Sequence, residues 1–139
     1  MKIYYAHHLW KHNTPIETYE IELIRKVFPD CKIINPNGDI TQPGEYYGDN
    51  GSMDIAVVTE ANTMDFCFDA ISENADVLVF SGISGVVGKG VYYEVMHAES
   101  QDIPVYYIHN NHLIKFNGTF DIIPDSTTKR IYATVHNRA

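Results

Sequence analysis

The fold is decided by one continuous stretch, DVLVFSGISGVVGKG at residues 76–90. Its apolar run Val77–Phe80 is typical of a central parallel strand that is covered on both faces. A glycine-rich turn follows at 81–90, and the segment of about 90–101 predicts a helix. A strand, a glycine turn and a helix in this order form the start of a βα unit, so the stretch predicts an α/β fold.

The same alternation of strand and helix extends toward the amino terminus. Residues 2–6 predict a first strand and residues 31–34 a second strand. Between them, Thr14, Pro15 and Glu17 predict a helix start, with Thr14 at the N-cap, proline at the first helical position and glutamate three residues after the cap. These elements form a second βα unit ahead of the deciding stretch.

The rest of the chain adds a long loop, one further helix and several strands. The predicted elements are a loop at 35–58, a helix at 60–74, a strand at 103–108, a hairpin of 113–116 with 119–123 around Asn117 and Gly118, and a last strand at 130–135. We therefore predict a single flavodoxin- or Rossmann-like domain over residues 1–139. It would have three layers, a parallel sheet of strand order 2-1-3-4 and a C-terminal β-hairpin.

Composition excludes several classes of partner. The formal net charge is -8, and a long polyanion would be repelled by that charge, so we expect no nucleic-acid polymer as partner. We find no apolar run long enough to span a bilayer, so we expect no membrane association and a cytoplasmic location. Cys31 and Cys67 make no disulfide or metal pattern and are interpreted as buried thiols of a reducing compartment.

The predicted topology indicates where a ligand would bind. Parallel sheets bind ligands beyond the carboxyl ends of their strands, where the winding reverses, which here is between the first and third strands. Residues 5–10 and 81–94 should line that crevice. Gly88 and Gly90 let the backbone approach a ligand, and Glu94 lies one helical turn further along. The alternative is a glycine loop shaped for packing, with Glu94 placed favourably near a helix start.

The spacing Gly88-x-Gly90-x-x-x-Glu94 is the most specific motif of the chain. With it, the chain resembles the nucleoside 2-deoxyribosyltransferase family, whose relatives include deoxynucleoside monophosphate N-glycosidases and Lonely Guy-type nucleotide phosphoribohydrolases. The resemblance covers about residues 1–108. The other matching residues are Lys2-Ile3-Tyr4-Tyr5, Ala75-Asp76-Val77-Leu78-Val79, Ala98 and Pro104-Val105.

The resemblance implies an enzyme that cleaves or transfers at the N-glycosidic bond of a nucleoside, deoxynucleoside or nucleoside 5′-monophosphate, without a cofactor. Glu94 would be the nucleophile, forming a covalent deoxyribosyl intermediate that water or a second base resolves. Tyr4 matches the family's first-strand tyrosine, which contacts the nucleophilic carboxylate. Asp69 lies near the position of a functional aspartate, and the alternative is that Asp69 and Asp65 lie on a solvated helix face.

Other residues of the two crevice segments are candidates for substrate binding. These are His7, as a contact to base or ribose, together with Gly82, Gly88, Lys89 and Gly90. Lys89 could hold a phosphate by charge or could be a solvated surface lysine. His7, His8 and His12 are close in sequence, but a metal site needs three or four converging ligands, and we predict no metal.

The chain departs from the family at Gly88, where the transferases carry aspartate and the monophosphate glycosidases serine. The arginine of the Lonely Guy-type enzymes has no counterpart. A second hypothesis is therefore a non-catalytic binder of a nucleotide or ADP-ribose-like ligand on the same scaffold. A kinase-like phosphate site is disfavoured because residues 85–90 lack P-loop spacing. Four Tyr-Tyr pairs favour a homodimer or larger homo-oligomer, with residues 117–139 as a candidate contact.

Overall fold

A computed structural model describes residues 1–37, 40, 45–48, 51–56, 63–124 and 131–135. The three helices of this part are α1 (Pro15–Val27), α2 (Thr63–Asn74) and α3 (Lys89–Ser100), and a 3-10 turn spans Leu9–Lys11. The strands are β1 (Lys2–Ala6), β2 (Lys32–Asn37), β3 (Glu45–Tyr47), β4 (Met53–Ala56), β5 (Val77–Phe80), β6 (Val86–Val87), β7 (Val105–His109), β8 (His112–Lys115), β9 (Phe120–Pro124) and β10 (Ile131–Val135). Within these ranges, no helix has the length and apolar character needed to cross a membrane.

The main sheet has seven strands in the order β3-β4-β2-β1-β5-β7-β8. Its five central strands are parallel, and the outer strands β3 and β8 run antiparallel to their neighbours. The α/β class is therefore confirmed. The predicted parallel sheet forms the centre of this sheet, which is mixed as a whole, because each end is extended by a strand that folds back on the strand beside it.

Strand β1 shows how the layers are built. Ile3 and Tyr5 pack in one apolar cluster with Ile21 and Ile24 of α1. Tyr4 and Ala6 point to the opposite face, into the cluster that contains the apolar side chains of α2 and α3. Because successive side chains of a strand alternate between faces, a slip of one residue would exchange the two sets, and burial on both faces fixes the register.

A second, smaller sheet lies on the α3 side. It has the order β6-β10-β9, and Val87 and Ala133 are buried in the same cluster as α3. Phe120 joins this sheet to the main one, since its ring lies 4.9 Å from that of Phe116 and 5.7 Å from that of Phe80, measured between centroids. The small sheet therefore covers the carboxyl end of β5.

The predicted C-terminal hairpin was wrong in its pairing. Strand β8 pairs with β7, and β9 pairs with β10. Asn110 and Asn111 explain the difference, because both have positive φ, 48° and 65°, as a two-residue hairpin turn requires. That turn folds β8 back on β7, so the chain from Asn117 to Gly118 passes to the second sheet.

The predicted loop at 35–58 was also partly wrong, because it contains the end of β2 together with β3 and β4. These strands were not predicted because polar residues occupy positions where a strand normally carries apolar ones. Asp54 is buried on β4 and accepts hydrogen bonds from Asn37 (3.0 Å) and Ser52 (2.7 Å). A carboxylate satisfied in this way can enter a sheet at a position where an apolar residue is expected. Residues 38–39, 41–44, 49–50 and 57–58 of that loop lie outside the described residues.

Candidate active site

Glu94 and Tyr4 meet at the centre of the domain. The Tyr4 hydroxyl donates a hydrogen bond to Oε2 of Glu94. Tyr4 is fully buried on β1, and Glu94, 5% exposed, lies on the second turn of α3. Helix α3 packs here against β1 and β5, so the pair is set by the packing of the helix on the sheet.

The surroundings of Glu94 favour its protonated form. Burial raises the pKa of the carboxyl to about 7, and hydrogen bonds from Tyr4 and Cys67 only partly oppose the effect of burial. The pKa of Tyr4 is raised well above its usual value by burial and by the nearby Glu94 carboxylate. At neutral pH, therefore, Tyr4 stays protonated as a donor, while both the protonated and the ionised form of Glu94 are populated.

A cavity of about 390 Å³ opens beside this pair. Its lining residues come from the loop after β1, from β2, α2 and α3, and from β10: His7, His8, Leu9, Pro36, Met64, Cys67, Gly88, Lys89, Gly90, Val91, Glu94, Ile131 and Tyr132. The volume fits a small-molecule ligand. The predicted residues Glu94, His7, Gly88, Lys89 and Gly90 thus line one cavity, and Tyr4 contacts it through Glu94.

The amino end of α3 forms part of the wall. Gly88, Lys89 and Gly90 line the cavity, so the positive end of the helix dipole faces it, and Gly88 at the N-cap supplies no side-chain cap. Neither Gly88 nor Gly90 has a positive φ, and a side chain at Gly90 would meet open space. Lys89 is exposed, and its Nζ lies 5.8 Å from the centroid of the Tyr93 ring.

His7 lines the cavity but is held by the protein. Its ring stacks on Tyr5 with centroids 3.8 Å apart, Nδ1 lies 3.0 Å from the backbone oxygen of Tyr5, and Nε2 lies 3.3 Å from Glu17 Oε2. Burial opposes ionisation of Glu17, yet hydrogen bonds from His7, Asn35 and the backbone N–H of Asn13 lower its pKa to about 2. Glu17 is therefore a permanent carboxylate that orients His7.

His8 is the second histidine that lines the cavity. Burial, and then the charge of Lys11, lower its pKa, while a hydrogen bond to the backbone of Val86 opposes them. His8 therefore lines the cavity as a neutral imidazole at pH 7. Its Cε1 would lie 3.5 Å from a Cβ built on Gly88, which places it at the start of α3.

A buried polar cluster fixes the loop that carries both histidines. Lys11 Nζ donates to Ser81 Oγ (2.9 Å), to the backbone oxygen of Gly82 (3.0 Å) and to Glu20 Oε1 (3.2 Å). Tyr5 and Ser81 both donate to the same Glu20 oxygen, at 2.5 Å and 2.8 Å. The lysine thus ties the Leu9–Lys11 turn to α1 and to the end of β5.

The structure does not bring two predicted residues to this cavity. Asp69 is exposed on α2, as is Asp65, because the face of α2 toward the cavity carries Met64 and Cys67. Gly82 lies beyond β5, where its oxygen accepts from Lys11 and a Cβ would stand 2.7 Å from the backbone oxygen of Val86. Gly82 therefore permits a tight turn between β5 and β6.

The site also contains residues that sequence reasoning did not assign. Cys67 of α2 lines the cavity where Asp69 was expected. Burial, followed by the Glu94 charge, raises the pKa of its thiol to about 12. The spacing of Met64, Cys67 and Ile71 placed it on the apolar stripe of α2, which was the available signal. No pattern in the sequence indicated Tyr132, because it reaches the cavity only through the pairing of β10 with β6.

Comparisons of the chain with family models, with curated proteins and with solved structures gave no match. The family resemblance therefore stays a prediction. In the part of the chain that the structure describes, no group of three or more His, Cys, Asp or Glu side chains is arranged to hold a metal ion.

Proposed function

We propose that this protein cleaves or exchanges the N-glycosidic bond of a nucleoside, a deoxynucleoside or their 5′-monophosphates, with Glu94 as nucleophile. The observation that supports it is the position of one buried carboxylate in the wall of a ligand-sized cavity, hydrogen-bonded by Tyr4 and adjacent to the amino end of α3. A carboxylate so placed can attack, or stabilise, a sugar whose anomeric carbon becomes cationic as the bond breaks.

The reaction requires two displacements at the anomeric carbon. In the first, an oxygen of Glu94 bonds to that carbon while the C–N bond breaks, and the base leaves with the electron pair and takes a proton from water. In the second, water or another base attacks the same carbon and releases the carboxylate, and the proton that the attacking group loses neutralises the hydroxide left by the first step. The Tyr4 hydroxyl holds the attacking oxygen in place, and its hydrogen bond favours the ionised form of Glu94.

The amino end of α3 and Lys89 provide the positive side of the cavity. Helix amino ends bind anions through backbone N–H groups and the helix dipole. A 5′-phosphate directed at Gly88–Gly90 would leave the sugar ring next to Glu94 one turn further along. This arrangement favours a nucleoside monophosphate over a free nucleoside as substrate.

The test is chromatographic detection of free base. The protein is incubated with a panel of nucleosides, deoxynucleosides and their 5′-monophosphates, with and without an added acceptor base. Glu94→Gln should abolish base release, and Asp69→Asn, an exposed change outside the cavity, should leave it intact. New nucleoside formed only with the acceptor would identify a transferase, and no release from any substrate would refute the proposal.

The second candidate is a non-catalytic binder of a nucleotide or ADP-ribose-like ligand. One observation favours it: Glu94 is the only carboxylate among the described residues that line the cavity, whereas glycosidic hydrolysis commonly uses a pair. Calorimetric titration with the same panel separates the two functions. Binding by the wild type without base release from any ligand would establish the binder.

A further inference from the structure

Glu17 of α1 joins the two ends of the loop that forms one wall of the Glu94 cavity. This loop runs from His7 to Asn13, and its first three residues line the cavity. At its start, His7 Nε2 lies 3.3 Å from Glu17 Oε2. At its end, His12 Nδ1 lies 3.3 Å from the same oxygen, and the backbone N–H of Asn13 donates to Glu17 Oε1 at 3.3 Å. One buried carboxylate therefore closes the loop.

The contacts of the His7 ring define its protonation state. Nδ1 lies 3.0 Å from the backbone oxygen of Tyr5, and Nε2 faces Glu17. A peptide carbonyl can only accept a hydrogen bond. Glu17 is also an acceptor, because its hydrogen bonds outweigh burial and lower its pKa to about 2. A neutral imidazole has a single N–H, so it would direct a lone pair at one of these two oxygens.

We infer that His7 is an imidazolium cation at neutral pH, and that its pairing with Glu17 holds the loop in place as a wall of the cavity. The side chain of His7 is fully buried, and a buried cation is tolerated only where it is paired. Here both N–H groups have an acceptor, and one acceptor carries the opposite charge. The ring also stacks on Tyr5, with an interplanar angle of 5°, and the face of an aromatic ring attracts a cation.

The two neighbouring histidines do not need a second proton. A neutral His12 with its proton on Nδ1 satisfies the contact with Glu17. Burial, and then the charge of Lys11, lower the pKa of His8, and the charge of His7 acts in the same direction. Two adjacent histidines of one cavity wall therefore differ in charge, since His7 is a cation and His8 is neutral.

Loss of the His7 proton should release the start of the loop. One ring nitrogen would then face an acceptor with no proton between them, and the attraction to Glu17 would be lost. The stabilisation by this pair is present while His7 is protonated and disappears as the pH rises through the loss of that proton. Other titratable groups on the surrounding elements are His8 of the loop, Tyr5 of β1, Cys67 of α2, Lys89 and Glu94 of α3, and Tyr132 of β10.

The charge of His7 is measured by NMR of protein labelled with ¹⁵N in the histidine rings. At pH 7 both ring nitrogens of His7 should have the chemical shift of protonated nitrogen, whereas His8 should show one protonated and one unprotonated nitrogen. Contacts of the His7 ring protons with Tyr5 assign the signals. An unprotonated nitrogen on His7 in the wild type would overturn the inference. The measurement uses no substrate, so its result does not depend on the proposed reaction.

A matched pair of variants tests the source of the charge. Glu17→Gln presents an amide NH₂ that can donate to Nε2, so one nitrogen of His7 should become unprotonated at pH 7. Glu22→Gln makes the same change at an exposed position of α1 and should leave the His7 signals as they are. A doubly protonated His7 in folded Glu17→Gln would contradict the pairing, and the wild-type spectrum decides the charge even where this variant does not fold.

Trp10, the single tryptophan of the chain, reports on the loop. As the pH rises, its fluorescence emission should shift in one step, at the pH where a His7 nitrogen loses its proton, while the far-UV circular dichroism stays constant. Glu94→Gln should keep this step, and Glu17→Gln should lack it. The role of the pair is overturned by an emission that ignores the His7 proton, by a step that accompanies unfolding, or by its loss in Glu94→Gln.

Discussion

The hydroxyl of Tyr4 on β1 donates a hydrogen bond to the carboxylate of Glu94 on α3, ninety positions later in the chain. The two side chains are buried at the same interface between helix and sheet. One consequence is that a group able to ionise near neutral pH is enclosed by the core. Its charge must therefore affect both the stability of the fold and any chemistry in the cavity.

Glu94→Gln should stabilise the protein at alkaline pH. Burial raises the pKa of this carboxyl from 4.5 to about 7 in the folded protein, so its contribution to stability is fully present below pH 4.5 and is lost as the pH rises through 7. The glutamine variant cannot ionise and should gain about 3 kcal/mol in free energy of unfolding at pH 8, with little gain at pH 4. Urea unfolding at both pH values measures this, and a gain that does not depend on pH would contradict it.

The pH dependence of base release should show a rising limb near pH 7. In the proposed reaction the nucleophile is the ionised Glu94, so activity should increase as Glu94 loses its proton. Tyr4→Phe removes a hydrogen bond that lowers the pKa of Glu94, so the limb should move to higher pH. Profiles of kcat/KM for both proteins test this. A limb that stays in place in Tyr4→Phe would show that another group controls the profile.

Lys11→Met should strongly destabilise the fold. The buried ammonium pairs with Glu20 and hydrogen-bonds Ser81 and the Gly82 backbone, and its removal leaves the Glu20 carboxylate buried without its cation. Such a loss costs about 3–5 kcal/mol. The double variant Lys11→Met, Glu20→Gln should recover part of the loss, as measured by urea unfolding. A double variant less stable than the single one would show that Glu20 has another source of stabilisation.

Two glycine substitutions should differ sharply. Gly82→Ala places a Cβ 2.7 Å from the backbone oxygen of Val86, whereas Gly90→Ala meets no atom within 4 Å. Gly82→Ala should therefore lower the melting temperature by several degrees, while Gly90→Ala stays within about 0.5 kcal/mol of the wild type. Thermal unfolding of the pair measures this. Equal melting temperatures would mean that the turn after β5 adjusts without cost.

The elements with local signals were predicted well. The start of α1 is as expected, since Thr14 Oγ1 accepts from the N–H of Glu17 at 3.3 Å, and the apolar run Val77–Phe80 is a fully buried central strand. The elements that depend on partners were not. Strand β4 carries a buried aspartate, and nothing in the sequence shows the hydrogen bonds that make its burial possible. Strand β8 lies between the Asn110–Asn111 turn and the Asn117-Gly118 sequence. We assigned it to a hairpin around Asn117-Gly118, but it pairs with β7 across Asn110–Asn111.

The sequence by itself determined the α/β class, the position of Glu94 at the start of a helix, and the loop and helix end that line its cavity. Those features follow from periodicity, capping and glycine spacing, which act between residues close along the chain. Only the tertiary structure decided which neighbours Glu94 has. Tyr4, Cys67, His8 and Tyr132 come from four different elements, and the packing of α2, α3 and the small sheet on β1 and β5 sets their distances. The same packing turned His7 inward to Glu17 and left Asp69 outside the cavity.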